Sequence, residues 1–128
     1  DQGEMPRLVL SLAARGRVIL VGAGAGYYLP RETSLHVRIC SPVSRRTAYM
    51  AQLLRQTVDQ AAESLKNRDR LRLEYLTKQF GERANDPSEF DLTINSANFG
   101  EEGTTQLLIN AFHQKQTQWE EETEDQED

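Results

Sequence analysis

Five residues, Arg17-Val18-Ile19-Leu20-Val21, run straight into Gly22-Ala23-Gly24-Ala25-Gly26, and this junction constrains the fold more than any other stretch of the chain. A continuous β-branched run without polar alternation is the pattern of a strand covered on both faces, the situation of a parallel sheet between helical layers. The glycines then make a tight turn. A strand entering Gly-x-Gly is also how a dinucleotide-binding fingerprint begins, and three features weigh against one here. Tyr27 stands where the third glycine belongs, the loop at Pro30-Arg31 leaves no room for a full helix, and Cys40-Ser41-Pro42 occupies the end of the next strand, where a ribose-binding acid is required.

Helices and strands alternate along the rest of the chain. Pro6 suits a first helical turn, Leu8, Val9 and Leu12 recur at helical spacing, and Gly16 stops the pattern, which predicts a short helix over residues 6–15. Tyr27-Tyr28-Leu29-Pro30 closes a short element, and Arg31-Glu32-Thr33 is a loop. Residues 34–40 alternate apolar and polar and predict a second strand. Ser41-Pro42 offers a capping hydroxyl and then proline at the first helical position, predicting a helix to about Arg55. Thr57-Val58-Asp59-Gln60 has capping-box spacing and opens a helix reaching Phe80, with Leu65, Leu73, Leu76 and Phe80 on one side and Gly81 as its stop. Residues 82–89 are a polar loop, residues 90–95 predict a third strand, and a last helix spans residues 102–118 with Leu107, Leu108, Ala111 and Phe112 as its stripe. Such alternation implies a parallel sheet with helical layers. Three strands make a thin sheet, and their apolar runs call for more cover than this chain supplies. Additional N-terminal strands, a second copy, or both are expected to complete it.

A net charge of −5 conceals an uneven distribution. Glu120, Glu121, Glu122, Glu124, Asp125, Glu127 and Asp128 are seven acids with no base among them, and without them the chain carries +2. Such a block repels itself and has nothing apolar to bury, so residues 119–128 are expected to be a disordered, solubilising tail behind one domain of residues 1–118. The body uses 12 arginines and only three lysines, Lys66, Lys78 and Lys115. The arginine fork suits phosphate and carboxylate; it serves equally as a solvated helix-face cation. The arginines are dispersed and the acidic tail competes with phosphate, which argues against nucleic acid as a partner. No run approaches the roughly 18 apolar residues that span a bilayer. Asp1-Gln2-Gly3-Glu4 has neither the charge nor the apolar stretch of a signal peptide, and Cys40 is the single cysteine, so no internal disulfide is possible. A cytoplasmic protein with no membrane partner is expected. The chain does not start with Met, and an excised or processed piece of something longer is expected. Cys40 ends the apolar run of Val37 and Ile39 and has the setting of a small buried hydrophobe.

Motifs with dedicated chemistry are mostly missing. No lysine follows any glycine, so G-x-x-x-x-G-K-[ST] is absent, and with it the amide cradle and lysine that hold nucleotide phosphates. His36 and His113 have no metal-ligand spacing, and no serine sits in a G-x-S-x-G elbow. The two helices between residues 42 and 80 are richer. Arg45, Arg46 and Arg55 lie on the first, and Arg68, Asp69, Arg70 and Arg72 on the second. Asp69 and Arg72 are three apart, share a helix face and can pair, within a site or as a solvated ion pair.

Taken in order, Val18 to Ala25, Ser41-Pro42 with Arg46 following, Asp69-Arg70-Leu71-Arg72 with Tyr75, Phe80 and Gly81, Asp86-Pro87, Phe90 to Asn95, and Glu101-Glu102-Gly103 form a familiar series. Over about residues 8–112 the chain resembles the C-terminal part of the cytidylate kinase-like family of P-loop nucleoside monophosphate kinases. The resemblance implies an α/β fold, a three-layer parallel sheet with flanking helices, here an incomplete P-loop kinase-like domain. It makes the helix pair of residues 42–80 a mobile lid over the donor nucleotide. It implies that Arg46 and Arg72 touch the transferring phosphates, that Asp69 pairs within the lid, and that Gly22, Gly24 and Arg45 lie against substrate. Ala23 replaces the arginine that in the family looks like the anchor of the acceptor phosphate, and Tyr49 replaces a frequent second lid arginine. An arginine–phosphate contact is a strong charge-assisted bond, so its loss together with the P-loop removes both substrate anchors.

The function implied is that of a nucleotide-related domain inactive by itself. ATP and Mg enter only if an upstream segment supplies a P-loop, and the whole protein would then move a phosphoryl group from ATP to a pyrimidine monophosphate. The expected partners are a nucleotide and either a second copy or an additional N-terminal segment. A non-catalytic regulatory or oligomerisation module on the same scaffold is the other expectation, and an NAD-type domain resting on Gly22 and Gly24 is the third.

Overall fold

Two four-residue strands, β1 (Val37–Cys40) and β2 (Leu92–Asn95), pair in parallel with Val37 opposite Leu92 and Cys40 opposite Asn95. Parallel strands cannot be joined by a tight turn and need a long crossover. The crossover here is a helical hairpin of α2 (Val43–Leu54) and α3 (Val58–Phe80). Ahead of the sheet lies α1 (Glu4–Ala14), and after it α4 (Gly100–Glu127). The computed structural model describes residues 4–22 and 24–127 of the chain.

Local chemistry explains most of these boundaries. The Thr57 hydroxyl accepts from the Gln60 N–H at 3.1 Å while Gln60 Oε1 accepts from the Thr57 N–H at 3.0 Å, so the capping box forms as its spacing predicts. Arg55 and Gly81, both at positive φ, end α2 and α3. Ala61 is fully buried where α2 meets α3, and Met50 and Leu65 pack beside it. The small Ala61 side chain lets the helices approach closely.

An aromatic stack joins the hairpin to the sheet. Tyr27, in a single 3-10 turn over Ala25–Tyr28, stacks on Phe80 at the end of α3 with ring centroids 4.3 Å apart. His36 stacks on Phe90 at 4.5 Å and meets the edge of Tyr27 at 5.0 Å. The glycines around Tyr27 make room for these rings. A Cβ on Gly24 would come within 2.5 Å of Phe80 Cε2, and one on Gly26 would overlap the His36 ring.

Three expectations are corrected. Residues 17–21, expected as a strand buried on both faces, form none: Ile19 is 90% exposed and Val21 91%. A strand needs a neighbour for its N–H and C=O groups and a layer over each face, and the described sheet has two strands with no third for the run to join. The expected three-layer parallel sheet is therefore a two-stranded one in a helix-rich chain. The last helix does not stop at Gln118; residues 119–127, expected as a disordered tail, continue it to Glu127. Past Gly103 there is no glycine or proline to break it, and Gln118–Glu122 and Thr123–Trp119 hydrogen bonds follow the helical spacing.

Gly26 lies against the His36 ring with no alternative space. Gly26→Ala should cost about 1–3 kcal/mol through overpacking, read as a melting temperature lower by roughly 4 °C or more. Adding His36→Ala, which removes the ring, should make the alanine at position 26 cost less. Strict additivity of the two changes would show that the ring is not what excludes a side chain there.

Candidate functional site

The carboxyl ends of parallel strands, facing the helices that follow, are where open α/β sheets bind ligands. Here β1 delivers the chain to Ser41, and Arg46 sits one turn into α2. Its Nε donates to the Ser41 carbonyl at 3.2 Å, while Nη1 and Nη2 donate to Asp69 Oδ1 and Oδ2 at 3.0 Å each. This is a fork-on-fork bond across the hairpin, from α2 to α3. Hydrogen bonds from Arg46 hold the Asp69 carboxyl below its usual range, with the charge of Arg72 adding to the effect. The same pair raises the Arg46 guanidinium above its ordinary value.

Asp69 thus bonds to Arg46, 23 residues away, and not to Arg72 on its own helix as the spacing had indicated. A planar two-pronged bond satisfies both carboxylate oxygens, which one contact along a helix face does not. Arg72 and Arg45 are exposed, and among the described residues neither takes part in an ion pair. Side-chain exposures of 33% for Arg46 and 45% for Asp69 leave the bridge open to solvent. It contributes about 1 kcal/mol or less to folding at such exposure.

Of the glycine-turn residues, Gly22 and Gly24 have φ of 83° and 67°, and Ala23 lies outside the described residues. Gly24 caps a four-residue 3-10 turn and faces Phe80. No full helix starts there to present its N-terminus to a pyrophosphate, as a dinucleotide site requires.

A second polar cluster escaped the sequence analysis. Glu89 is gripped by Arg83 at 2.8 Å and Arg31 at 2.5 Å, and its side chain is only 11% exposed. Hydrogen bonds from Arg83 bring its carboxyl down to about 2, with Arg31 adding to the shift. Arg83 also donates to the Tyr27 carbonyl at 3.0 Å and lies over the Tyr27 ring. His36 Nδ1 bonds to the Glu89 carbonyl at 2.6 Å. A carbonyl only accepts, so Nδ1 carries the proton. Asp91 accepts from the His36 N–H at 2.8 Å and from Lys115 Nζ at 2.7 Å, which ties α4 to the sheet. Arg31 and Glu89 are 58 residues apart, so no local spacing could have joined them.

The cavity beside this cluster measures about 30 Å³, and another, between Thr33 and Trp119, about 120 Å³. Both fall short of the roughly 300 Å³ at which small-molecule pockets begin. Among the described residues no three His, Cys, Asp or Glu side chains converge on a metal position, and no helix is long and apolar enough to cross a membrane.

The sequence profile of the cytidylate kinase-like family matches residues 4–98 of the 128. The chain belongs to the cytidylate kinase-like family. Comparison with curated proteins and with solved structures finds no match. The family span takes in the hairpin, both strands, the Arg46–Asp69 bridge and the Glu89 clamp, and it ends before α4.

A pH dependence follows from Glu89. Its carboxyl titrates near 2 when folded, against 4.5 ordinarily. The stabilisation is therefore complete above the ordinary value and is lost as pH falls toward 2. Melting curves of the wild type and Glu89→Gln between pH 6 and pH 2.5 should converge at the acid end, the wild type falling more steeply. Parallel curves would remove Glu89 as the group responsible.

Proposed function

We propose that this chain is a nucleotide-related domain that presents arginines to phosphate through the α2–α3 hairpin and does not turn over by itself. The observation behind this is the bridge at the carboxyl end of β1, where the Arg46 fork holds the Asp69 carboxylate through two hydrogen bonds of 3.0 Å. A guanidinium fork set against an oxyanion is the chemistry that a phosphate needs, and the family supplies the nucleotide context. In this reading the hairpin acts as a lid, and Arg46 and Arg72 stabilise charge on the phosphoryl group. Arg45, next to Arg46 in the first turn of α2, is exposed and has no ion pair among the described residues.

The chain cannot complete the reaction alone, because no P-loop occurs in its 128 residues and Ala23 offers a methyl where an acceptor anchor is needed. An upstream P-loop would bring in ATP and Mg, and the complete protein would act as an ATP-dependent kinase of pyrimidine monophosphates. The arginines present suit phosphate oxygens, and among the described residues no three His, Cys, Asp or Glu side chains converge on a metal position.

Thermal-shift titration with CMP, dCMP, UMP, ATP and NAD tests this. A ligand at 100 times its dissociation constant stabilises the fold by about 2.7 kcal/mol. A shift with CMP or ATP is expected, lost in Arg46→Ala and Arg72→Ala, with no phosphoryl transfer from ATP to CMP. No shift with any nucleotide would sink the proposal, and a shift with NAD alone would replace it.

A non-catalytic assembly module is favoured by a different observation. The chain exposes 9980 Å², while a compact monomer of 14.6 kDa exposes about 6,900 Å². Ile19, Val21, Leu53 and Val58 are among the exposed apolar side chains. A stable interface takes roughly 800 Å² from each partner, well within this excess. Sedimentation equilibrium should then show self-association at micromolar concentration, and a strict monomer would count against this role.

A further inference from the structure

Arg46 carries five N–H bonds, and three are committed. Nη1 and Nη2 each give one to the Asp69 carboxylate, and Nε gives its own to the Ser41 carbonyl. Two-pronged recognition of a phosphate needs two N–H bonds along one edge of the guanidinium. Asp69 fills the outer edge and Ser41 takes half of the side edge, so neither edge is free. We propose that Asp69 is a built-in competitor for the phosphate group at Arg46: its carboxylate occupies the arginine fork until a phosphate displaces it, and the clasp between α2 and α3 opens as the ligand binds. This rests on Arg46 being a phosphate ligand, as argued above.

Three features support the exchange. The pair is open to solvent, with side-chain exposures of 33% and 45%, so an anion can reach it without unfolding. Arg72 lies three residues along the same helix and already acts on Asp69 through its charge, which gives the displaced carboxylate a cation to turn to. The depressed carboxyl stays ionised at neutral pH, so protonation does not remove the competitor; only another anion does. The exchange breaks no covalent bond. One anion leaves the fork and another enters it.

The sign of one substitution separates competition from simple support. If Asp69 merely braces the hairpin, its loss loosens the site and weakens anion binding. If it competes, its loss strengthens binding. Isothermal titration of the full chain with CMP and with inorganic pyrophosphate is the test, using wild type, Asp69→Asn, Arg46→Ala and the double variant. Asp69→Asn should bind roughly two- to five-fold more tightly, the range set by the coupling of an exposed ion pair. The double variant should bind no better than Arg46→Ala. Equal or weaker binding by a folded Asp69→Asn overturns the competition while leaving Arg46 as a phosphate ligand. Failure of the wild type and all variants to bind either probe overturns the phosphate role itself, and the competition with it. A second measurement needs no variant: the titration of the Asp69 carboxyl, followed by carbon NMR in the wild type, should move up toward the ordinary carboxylate range when CMP saturates the protein. A titration unmoved by saturating CMP would show that Asp69 keeps its arginine, and would overturn the exchange even if Asp69→Asn does not fold.

Discussion

Tyr27 is the point through which most of this molecule is connected. Its ring stacks on Phe80, takes the edge of His36 and meets Phe90 at 5.9 Å, so four segments scattered between residues 27 and 90 meet in one aromatic group. Burial pushes the Tyr27 hydroxyl above its ordinary pKa, with the Glu89 charge adding to the effect, and the Arg83 guanidinium lies over the ring, 5.4 Å from its centroid. Aromatic pairs of this kind contribute about 0.5–1.5 kcal/mol each beyond their burial. No large side chain among those described is wholly buried, so these contacts carry a greater share of the fold than they would in a larger core.

The same group explains the glycine-rich turn. Gly24 and Gly26 are spaced to clear Phe80 and His36, which is a packing requirement and does not need a bound phosphate. The strand-like run before the turn is left without a neighbour and stays exposed. Polar ties complete the frame where apolar cover is thin. The Arg46–Asp69 bridge fastens the hairpin, Arg31 and Arg83 clamp Glu89, and Lys115 fastens α4 to Asp91. The bridge thus belongs at once to the frame of the hairpin and to the site proposed for phosphate.

Much of the architecture was legible in local patterns. The capping box at Thr57 and Gln60, the stop at Gly81 and the alternation before Cys40 and Asn95 each depend on residues within a few positions of one another, and each marks an element that forms. The site was only partly legible. Arg46, Asp69 and Arg72 stood out as charged residues on adjoining helices, yet the i, i+3 spacing pointed Asp69 to Arg72, and the bond runs to Arg46 because the fold sets the two helices side by side. The Glu89 clamp was not legible, because Arg31 and Arg83 reach it from different segments.

The sequence by itself determined the helices of the hairpin, the two short strands and their order, and the family, because caps, periodicity and turn residues act over a few positions and survive any tertiary arrangement. The tertiary structure alone decided whether Val18 to Val21 would become a strand, which arginine Asp69 would hold, and why the turn contains Gly24 and Gly26. Each of these depends on what lies alongside in space: a hydrogen-bonding neighbour for the run, a facing helix for the carboxylate, and aromatic rings against the turn. Contacts between distant residues leave no periodic trace in the chain that makes them.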